Sequence, residues 1–455
     1  MQKRILKNKK RHLCYLICCL FLVLSCSELE TNWIRRFDTL GPGNYRINSI
    51  EGSKEEIYLT GTYTDENGTT RCFTARYDGK GHLQWQTIFE AENSEQTTGT
   101  AMLTIRTQEE LLTAHRDIYV LIRASDENGK QRAILAKYDT LGNLHWQKTV
   151  AAHDGPLTSI LLSDHHGSLY VAGWERDAEN KPTIYVGKYT ETGQTSWFTK
   201  YFNEEIDFEL LRFDITKPEY FVIAGIQKNS DELFYMKYDG SGQFLGSVKY
   251  EAEKQIKNLS GLKIDPAANI YLSATIRNQD TGDDFLTIAY NKNDSLLWAN
   301  EYDGGTHGND IGKTIALDES LNVYVVGSSE DAQGVPNITT IKYDKTGSLI
   351  WTQSKTQNKA AYPLMVEPRY LRLGRRPYLR YLYLAGTTGD DAWILRCNTN
   401  GVYSFQAEYG EGGKVTVPTA LSERYMAFVR TTEKKSDAFI AKYGPSTILG
   451  IARWD

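Results

Sequence analysis

A thirteen-residue phrase recurs along the chain, and its spacing constrains the fold more than any other feature of the sequence. It reads FTARYDGKGHLQW at 73–85, ILAKYDTLGNLHW at 134–146 and TTIKYDKTGSLIW at 339–351. Successive copies of its Tyr, with Cys397 once in the same slot, lie 46 to 61 residues apart, at Tyr77, Tyr138, Tyr189, Tyr238, Tyr290, Tyr343 and Tyr443. Such a period indicates a repeat architecture, in which each unit buries its faces only by stacking on its neighbours.

Each unit contains four short apolar segments. The phrase supplies two of them, and its second segment ends at Trp85, Trp146, Trp197, Trp298 or Trp351, with Phe405 and Gly246 in that slot of two other units. Upstream lie an alternating segment such as VYVVG (323–327) and, before it, one ending in Asp such as TIALD (314–318). Four antiparallel strands per unit predict the blades of a β-propeller. The Asp-x-x-Gly segment is then the turn between the two outer strands, and the Tyr and Trp side chains pack between blades.

The two ends of the chain predict how the ring closes. Residues 32–37 include Trp33 and match the last strand of a unit, although no Tyr-Asp phrase precedes them. Conversely, the last unit has Ile451 where most other units have Trp. Counting the Tyr slots gives eight units. We therefore predict an all-β chain whose residues 32–455 form a single eight-bladed propeller, closed by the N-terminal strand because closure removes exposed strand edges.

The first 26 residues have the layout of a secretory leader. Six basic residues between Lys3 and Arg11 precede an apolar stretch, Leu13 to Leu24, that is too short to span a bilayer. The stretch ends in Val-Leu-Ser-Cys26, which resembles the bacterial lipobox. This resemblance implies a signal peptide at 1–25, a lipidated, palmitate-bearing Cys26 and a short tether at 26–31. The alternatives are an ordinary signal peptide or a short membrane anchor.

Charge and cysteine content exclude several classes of function. Without residues 1–25, the chain has 46 Lys and Arg against 57 Asp and Glu, a net charge of about −11. This balance disfavours nucleic acid as a partner, because phosphate binding needs a basic surface. Four of the six Cys lie in the first 26 residues, and the remaining Cys72 and Cys397 fall in distant units. We therefore expect neither a disulfide nor a cysteine-based metal site.

The units resemble the bacterial propeller repeat known as the SBBP or seven-bladed type. The resemblance is clearest in GGTHGNDIGKTIALDESLNVYVVGSS and the TTIKYDKTGSLIW that follows, and it extends over residues 32–444. It implies a propeller and carries over no catalytic residue, since the motifs of that family are structural. The count of eight units differs from the family's label. In architecture the chain is also similar to the eight-bladed lipoprotein propeller of the outer-membrane protein assembly machinery, which repeats a D-x-x-G-x-x-x-W phrase.

Few residues outside the repeat pattern carry chemistry by themselves. The Asp that ends the first segment of several units is explained by the fold, at Asp164, Asp214, Asp265 and Asp318. His165 and His166 stand where other units have a turn, and we interpret them as a polar turn rather than a metal site. TDENGTT (64–70) and SDENGKQ (125–131) are interpreted as hairpin tips rather than calcium loops.

Sequence motifs of known chemistries assign no catalytic residue, metal or cofactor. The sequence contains no G-x-S-x-G, no H-E-x-x-H and no phosphate-binding loop. A pair of carboxylates from different blades that meets at the channel mouth remains open as a catalytic arrangement.

A basic segment between the first and second strands of the seventh unit departs from the acidic character of the chain. It contains five arginines within residues 367–380, at Arg369, Arg372, Arg375, Arg376 and Arg380, with Tyr370 and Tyr378 among them. We expect the segment to project from one face of the disc. It is a candidate surface for anionic lipid or an acidic partner; the alternative is a solvated long loop.

These features predict a lipoprotein of the bacterial cell envelope, expected at the outer membrane and held close to it by the short tether. Its propeller is expected to act as a non-enzymatic binding or assembly scaffold. We expect a monomer without cofactor that reaches the membrane through its lipid anchor and binds a protein or glycan partner, but no nucleic acid. The alternative is a glycan-active hydrolase or lyase with acidic residues at one channel mouth.

Overall fold

The structure is a computed structural model, and all its regular elements in the residues it describes are β-strands. The described residues are 33–107, 115–153, 158–164, 167–176, 181–202, 208–216, 220–227, 232–355, 360–373, 376–411, 414–422, 424–432 and 435–442. Within these ranges no helix is long and apolar enough to cross a membrane.

The strands form eight antiparallel sheets of four, each of which is one blade. Blade 1 consists of β2 (Gly43–Gly52), β3 (Glu56–Asp65), β4 (Thr70–Asp78) and β5 (Leu83–Phe89), and blade 2 of β6 (Gln96–Thr107), β7 (His115–Ser125), β8 (Gln131–Tyr138) and β9 (Leu144–His153). Blade 3 consists of β10 (Thr158–Ser163), β11 (Leu169–Arg176), β12 (Pro182–Tyr189) and β13 (Thr195–Phe202), and blade 4 of β14 (Phe208–Thr216), β15 (Tyr220–Gln227), β16 (Glu232–Asp239) and β17 (Phe244–Tyr250).

Blades 5 to 7 repeat this order, and blade 8 takes its fourth strand from the start of the chain. Blade 5 consists of β18 (Gln255–Ile264), β19 (Ile270–Asn278), β20 (Gly282–Tyr290) and β21 (Leu296–Tyr302), and blade 6 of β22 (Asp310–Leu317), β23 (Val323–Glu330), β24 (Pro336–Tyr343) and β25 (Leu349–Lys355). Blade 7 consists of β26 (Ala361–Leu373), β27 (Arg376–Thr388), β28 (Asp391–Asn398) and β29 (Tyr403–Tyr409), and blade 8 of β30 (Val415–Leu421), β31 (Tyr425–Thr431), β32 (Ser436–Lys442) and β1 (Trp33–Phe37).

The predicted closure is confirmed by the pairing of β1 with β32. The two strands are antiparallel, with Trp33 opposite Lys442 and Phe37 opposite Ala438. The first strands of the blades contact one another in succession around the ring, and β30 returns to contact β2. The first strands therefore surround the central channel, and the described strands form a closed eight-bladed propeller.

The hydrophobic core lies between blades. One cluster joins Phe285 of blade 5 to Val323, Val325 and Ile341 of blade 6, all buried. Another joins blade 8 to blade 1 through Ile440, Ala427, Ile57 and Phe73. Because every blade buries its two faces against two neighbours, the core is a ring of such layers, as the repeat predicts.

The predicted outer turn is confirmed, and it forms one half of a contact between blades. In blade 2, Asp139 Oδ1 accepts hydrogen bonds from the amides of Leu141 and Asn143, and Gly142 adopts a φ of +87°. Trp85 of blade 1 donates from Nε1 to the Thr140 carbonyl at 2.8 Å, and its ring covers Gly142. The turn glycine thus provides left-handed backbone and leaves room for the indole.

The same contact recurs at four other tryptophans around the ring. The indole nitrogens donate to backbone carbonyls in the turn of the next blade, in the pairs Trp33–Gly79, Trp146–Glu191, Trp197–Gly240 and Trp298–Lys345. Blade 4 has Gly246 in the Trp slot, and the turn of blade 5 has Asp294, with a φ of +67°, in place of Gly. The Asp294 carboxylate instead binds Lys237 and Tyr235 of blade 4, at 2.7 and 2.8 Å. The loss of the indole and the loss of the glycine therefore occur together.

Two other groups of residues also have the structural roles predicted from the sequence. Asp318, at the end of β22, accepts hydrogen bonds from the amides of Ser320 and Asn322 and from the Tyr324 hydroxyl, and Asp265 has the equivalent bonds. Asp65 and Asp126 cap hairpin tips by accepting from the following backbone amides. Cys72 and Cys397 are buried free thiols in blades 1 and 7.

The first strand of at least six blades contains one extra residue at the same position. The pairing register shifts opposite the last residue of the VYVVG-type segment, which is Gly or Ala in four of these blades and Ile122 or Phe428 in the other two. One residue of the first strand is therefore unpaired at this position in each blade: Asn48, Thr100, Ser260, Lys313, Leu364 and Thr419. A bulge of this kind redirects side chains without breaking the sheet. The composition of the inner surface can therefore vary while the blade core is kept.

Candidate functional site

A polar groove lies on the face of the disc where the first strand of each blade begins, which we call the upper face. It spans blades 8, 1 and 2 and has a volume of about 710 Å³. Its walls come from the starts of β2 and β32 and the ends of β3 and β31, together with residues of β6 and β7. The lining residues are Asn44, Tyr45, Arg46, Asn48, Thr62, Thr64, Thr98, Thr100, Arg123, Thr419, Val429, Thr431 and Ser436.

Hydrogen bonds between blades fix the walls of the groove. Asn48 donates from Nδ2 to the Gly99 carbonyl at 2.8 Å and to Thr62 Oγ1 at 3.2 Å, which links blade 1 to blade 2. The amide of Ser436 donates to Asn44 Oδ1 at 2.8 Å, which links blade 8 to blade 1. The groove therefore lies across the seam that closes the ring, and its shape depends on closure.

The groove is positively charged, although the mature chain is expected to be acidic. Arg46 and Arg123 are exposed; Arg46 donates to Asn48 Oδ1 at 3.1 Å, and neither guanidinium has a carboxylate partner among the described residues. The third ionisable lining residue is Tyr45, whose pKa burial raises to about 12, so it stays neutral. Hydroxyl and amide groups beside two guanidinium groups that lack carboxylate partners among the described residues suit a ligand that has both hydroxyls and negative charge.

A second cavity, of about 360 Å³, lies between the first strands of blades 7, 8 and 1. Glu51 of β2 and Glu367 of β26 both line it. Burial raises the pKa of Glu51 to about 7, and the positive charge of Arg116 partly offsets this rise. The cavity therefore contains a carboxyl group that exchanges its proton near neutral pH.

Across the ring, basic side chains of blades 4 and 6 approach one another. Partial burial and the charge of Arg212 lower the pKa of Lys313, and burial lowers the pKa of Arg212. Arg212 also donates from Nε to the Ser260 carbonyl at 3.3 Å. The inner surface thus differs in charge from one side of the ring to the other.

A cluster of three carboxylates, Asp284, Asp303 and Asp310, lies on the upper face at the seam between blades 5 and 6. One carboxylate oxygen from each residue lies within 4.8 Å of the other two. Burial raises the pKa of Asp310 to about 6; the Ser329 hydroxyl and the Gly304 amide counteract this rise, and the two neighbouring carboxylates add to it. Carboxylates of different blades therefore do meet, although at a seam between blades rather than between first strands facing the channel.

The structure describes only part of the sites predicted from the sequence. Cys26, His165, His166 and Arg375 lie outside the described residues. The backbones of Arg369, Arg372 and Arg376 belong to a long hairpin of β26 and β27, where Arg372 pairs with Pro377. The segment is thus largely a ladder of paired strands rather than a loop. Its last arginine, Arg380, is exposed and stacks over the Tyr381 ring at 5.1 Å.

Sequence reasoning missed both the groove and the carboxylate cluster. The groove is assembled from residues of three blades that lie on both sides of the ring closure, so no local motif marks it. The cluster has a signal that could have been found. When the units are aligned by strand register, Asp284, Asp303 and Asp310 occupy the same three positions as Asp391, Gly410 and Thr416 at the seam between blades 7 and 8. An acid at all three positions is the signal.

Comparisons with known proteins assign the chain to no family. No protein-family model matches the sequence, and no curated protein matches it either. Among solved structures, the polysaccharide lyase Uly1 is 9% identical with a TM-score of 0.44, covering 87% of this chain and 89% of that one. A protein from Lactobacillus plantarum is 17% identical with a TM-score of 0.41, covering 68% of this chain and 84% of that one. A eukaryotic initiation factor is 9% identical with a TM-score of 0.39, covering 80% and 88%. At these identities and TM-scores the likeness carries no conclusion about function.

Proposed function

We propose that the protein is a lipid-anchored binding scaffold of the bacterial envelope, and that the groove on its upper face binds an acidic, hydroxyl-rich polymer such as a carboxylated glycan. The observation that carries the proposal is the pair of arginines, Arg46 and Arg123, without carboxylate partners among the described residues, in a groove otherwise lined mainly by Thr, Asn and Ser. The lipid anchor rests on the lipobox-like sequence that ends at Cys26.

The polarity of the groove favours a glycan over a protein partner. Protein interfaces are usually centred on exposed aromatic or aliphatic side chains that become buried on binding. The only apolar lining residues are Tyr45 and Val429, and both are already buried. Sugar hydroxyls can pair with Thr and Asn side chains, and sugar carboxylates can form charge-assisted bonds with Arg.

Binding is tested with polygalacturonate as the anionic probe, dextran as the neutral one and polyglutamate as the acidic peptide. The expected result is salt-sensitive binding of polygalacturonate that falls at least about tenfold in the double variant Arg46→Gln/Arg123→Gln, since each charge-assisted bond contributes about 1.5–3 kcal/mol. Lys80→Gln/Lys345→Gln is the matched control, because it removes two exposed charges on outer turns.

The competing functions give different outcomes in the same assay. Preference for polyglutamate would indicate an acidic protein partner, and equal binding by both double variants would exclude the groove. Shortening of the polygalacturonate chains would indicate a glycan-active enzyme.

The anchor is tested separately. Cys26→Ser is expected to release the protein from the membrane fraction, and mass spectrometry of the mature N-terminus is expected to find an acylated Cys26. An unmodified terminus at another cleavage site would contradict the lipoprotein proposal.

A further inference from the structure

We propose that Asp284, Asp303 and Asp310 bind a divalent cation, Ca²⁺ in the first place, that ties blade 5 to blade 6. The proposal is independent of the ligand proposed for the groove. One oxygen of each carboxylate lies within 4.8 Å of the others. Two oxygens that bind one Ca²⁺ at roughly 2.4 Å lie at most ~4.8 Å apart, so a single ion can contact all three residues.

Two buried oxygens in the cluster have no hydrogen-bond partner. Asp310 is 1% exposed and Asp284 is 2% exposed. The Oδ1 atom of neither residue receives a hydrogen bond of normal geometry within the described structure, although the Ser329 hydroxyl lies close enough to the Asp310 carboxyl to counteract the rise of its pKa. The Oδ2 atoms are satisfied: Asp310 accepts from the Gly304 amide at 2.6 Å, and Asp284 accepts from Thr281 Oγ1 at 2.7 Å and Asn278 Nδ2 at 3.0 Å. Buried carboxylate oxygens are normally paired, so these two lack the partner that a cation would supply.

The basic side chains around the cluster do not reach these oxygens. His307 Nδ1 lies 2.8 Å from Asp303 Oδ2 on the exposed side of the cluster. Lys254 interacts electrostatically with Asp284, but its ammonium group is hydrogen-bonded to Glu301. Arg277 pairs with the neighbouring Asp283 at 2.7 Å. The inner carboxylates are thus left without a bound counter-charge from these groups.

The equivalent positions of other seams lack this arrangement. The three positions are occupied by Arg71, Glu90 and Thr97 between blades 1 and 2, by Glu232, Glu251 and Ile256 between blades 4 and 5, by Asp391, Gly410 and Thr416 between blades 7 and 8, and by Asp437, Asp38 and Tyr45 between blades 8 and 1. Among the seams whose three positions are all described, only that between blades 5 and 6 carries an acid at each. The repeat does not require these acids, which therefore serve something specific to this seam.

Calcium fits the donor set and the position of the site. The ligands are all hard oxygen atoms, which suit Ca²⁺ and Mg²⁺ rather than the softer transition metals. The irregular set of carboxylates from two sheets suits the flexible coordination of Ca²⁺ better than the strict octahedron of Mg²⁺. Asp303, whose side chain is 24% exposed, provides access from solvent. The bound ion would connect the third and fourth strands of blade 5 to the first strand of blade 6.

The test uses the purified full chain, stripped with EDTA and then titrated with CaCl₂ by calorimetry and by thermal unfolding. The expected result is one Ca²⁺ per chain with a Kd on the order of 10⁻⁴ M or tighter, and a rise in Tm at millimolar Ca²⁺. Asp310→Asn is expected to abolish both effects without lowering the Tm in EDTA, because it removes one of the mutually repelling buried charges.

Asp391→Asn is the matched control and is expected to retain the Ca²⁺ response, since its seam lacks the other two acids. If Asp310→Asn does not fold, Asp303→Asn, at the exposed edge of the cluster, replaces it with the same expectation. The proposal is overturned if neither Ca²⁺ nor Mg²⁺ binds or shifts the Tm of the wild type. It is also overturned if Asp310→Asn or Asp303→Asn responds like Asp391→Asn, and saturation by Mg²⁺ alone would refute the assignment of calcium.

Discussion

The indole nitrogen of Trp33 donates a 3.2 Å hydrogen bond to the carbonyl oxygen of Gly79, and this bond joins the first described strand of the chain to the outer turn of blade 1. The Trp33 ring also covers Gly81 in that turn, at about 3 Å from where a Cβ would lie. Trp33 belongs to blade 8 through its pairing with β32. The same kind of link that joins successive blades therefore also joins the last blade to the first.

Removing the indole at the closure should weaken the ring. Trp33→Ala is expected to lower the free energy of unfolding by about 2–3 kcal/mol, somewhat below the cost for a fully buried Trp because Trp33 is half-buried. Urea denaturation measures the loss. Arg35→Ala removes an exposed side chain of the same strand whose guanidinium carbon lies 5.6 Å from the centre of the Trp33 ring, and it should cost less than about 1 kcal/mol because the indole itself remains. Equal effects of the two substitutions would show that the indole contributes little to closure.

The contact between turn glycine and indole predicts the effect of adding a single methyl group. Gly142→Ala places a Cβ 2.7 Å from the Trp85 ring on a backbone with φ +87°, so both clash and left-handed strain oppose it. We expect a loss of about 2–4 kcal/mol. Gly129→Ala has a similar φ of +80° but open space around the Cβ, so only strain of about 1–2 kcal/mol should remain. The midpoints of urea unfolding of the two variants test this difference in stability. Similar losses of stability in both would contradict a steric role for the indole.

Glu51 should make stability depend on pH. Its pKa in the folded protein, about 7, lies above its usual value near 4.5, so the folded state binds the proton more tightly than the unfolded state. Stability is therefore expected to fall as pH rises from about 4.5 to about 7, by on the order of 1–3 kcal/mol, and then to level off. Glu51→Gln should remove this part of the pH dependence. Urea unfolding at pH 5 and pH 8 measures it, with Glu55→Gln, on an exposed side chain, as the control; a variant that keeps the full slope would exclude Glu51.

The arginine hairpin of β26 and β27 remains a predicted interaction surface. Arg372→Glu with Arg376→Glu is expected to reduce binding to vesicles containing anionic lipid by about tenfold, since each basic residue near such a surface contributes about 1 kcal/mol. Binding is measured by vesicle co-sedimentation at low and at physiological salt. All variants also carry Cys26→Ser, so that the lipid anchor does not mask the effect of the arginines. The control is Lys80→Glu with Lys345→Glu, which changes the net charge of the protein by the same amount. Unchanged sedimentation of the hairpin variant would leave the segment without a lipid-binding role.

The repeat made the fold predictable in unusual detail. Counting the Tyr slots predicted eight blades, and the resemblance of 32–37 to an outer strand predicted that this segment completes the last blade, as its pairing with β32 shows. The turn residue Asp139 and the strand-end residue Asp318 also have the predicted roles, because their hydrogen bonds are local in sequence. Periodic and local features depend on neighbours that the sequence itself displays.

The candidate sites were harder to predict for a physical reason. Arg46 and Arg123 belong to different blades, and nothing in their own segments shows that they line one groove. Asp284 and Asp310 are 26 positions apart and meet only because the third strand of one blade begins beside the first strand of the next. Contacts of this kind depend on the face of the disc at which a strand begins and on which blade packs beside it. The assembled ring determines both, and no sequence motif shows them.

The pairing of β1 with β32 also determines when, during synthesis, the ring can close. During synthesis, the hydrogen-bonding edge of β1 has no partner until residues 436–442 have left the ribosome, because these alone provide the matching strand. A chain interrupted before Ser436 would present two open edges, β1 and β31, without the strand that lies between them. The free edges of separate chains could then pair head to tail and, since such contacts need not close, build filaments. We expect fragments ending at residue 435 to form concentration-dependent ladders on native gels, dissolved by adding a peptide spanning 436–442; fragments that stay monomeric would contradict this view.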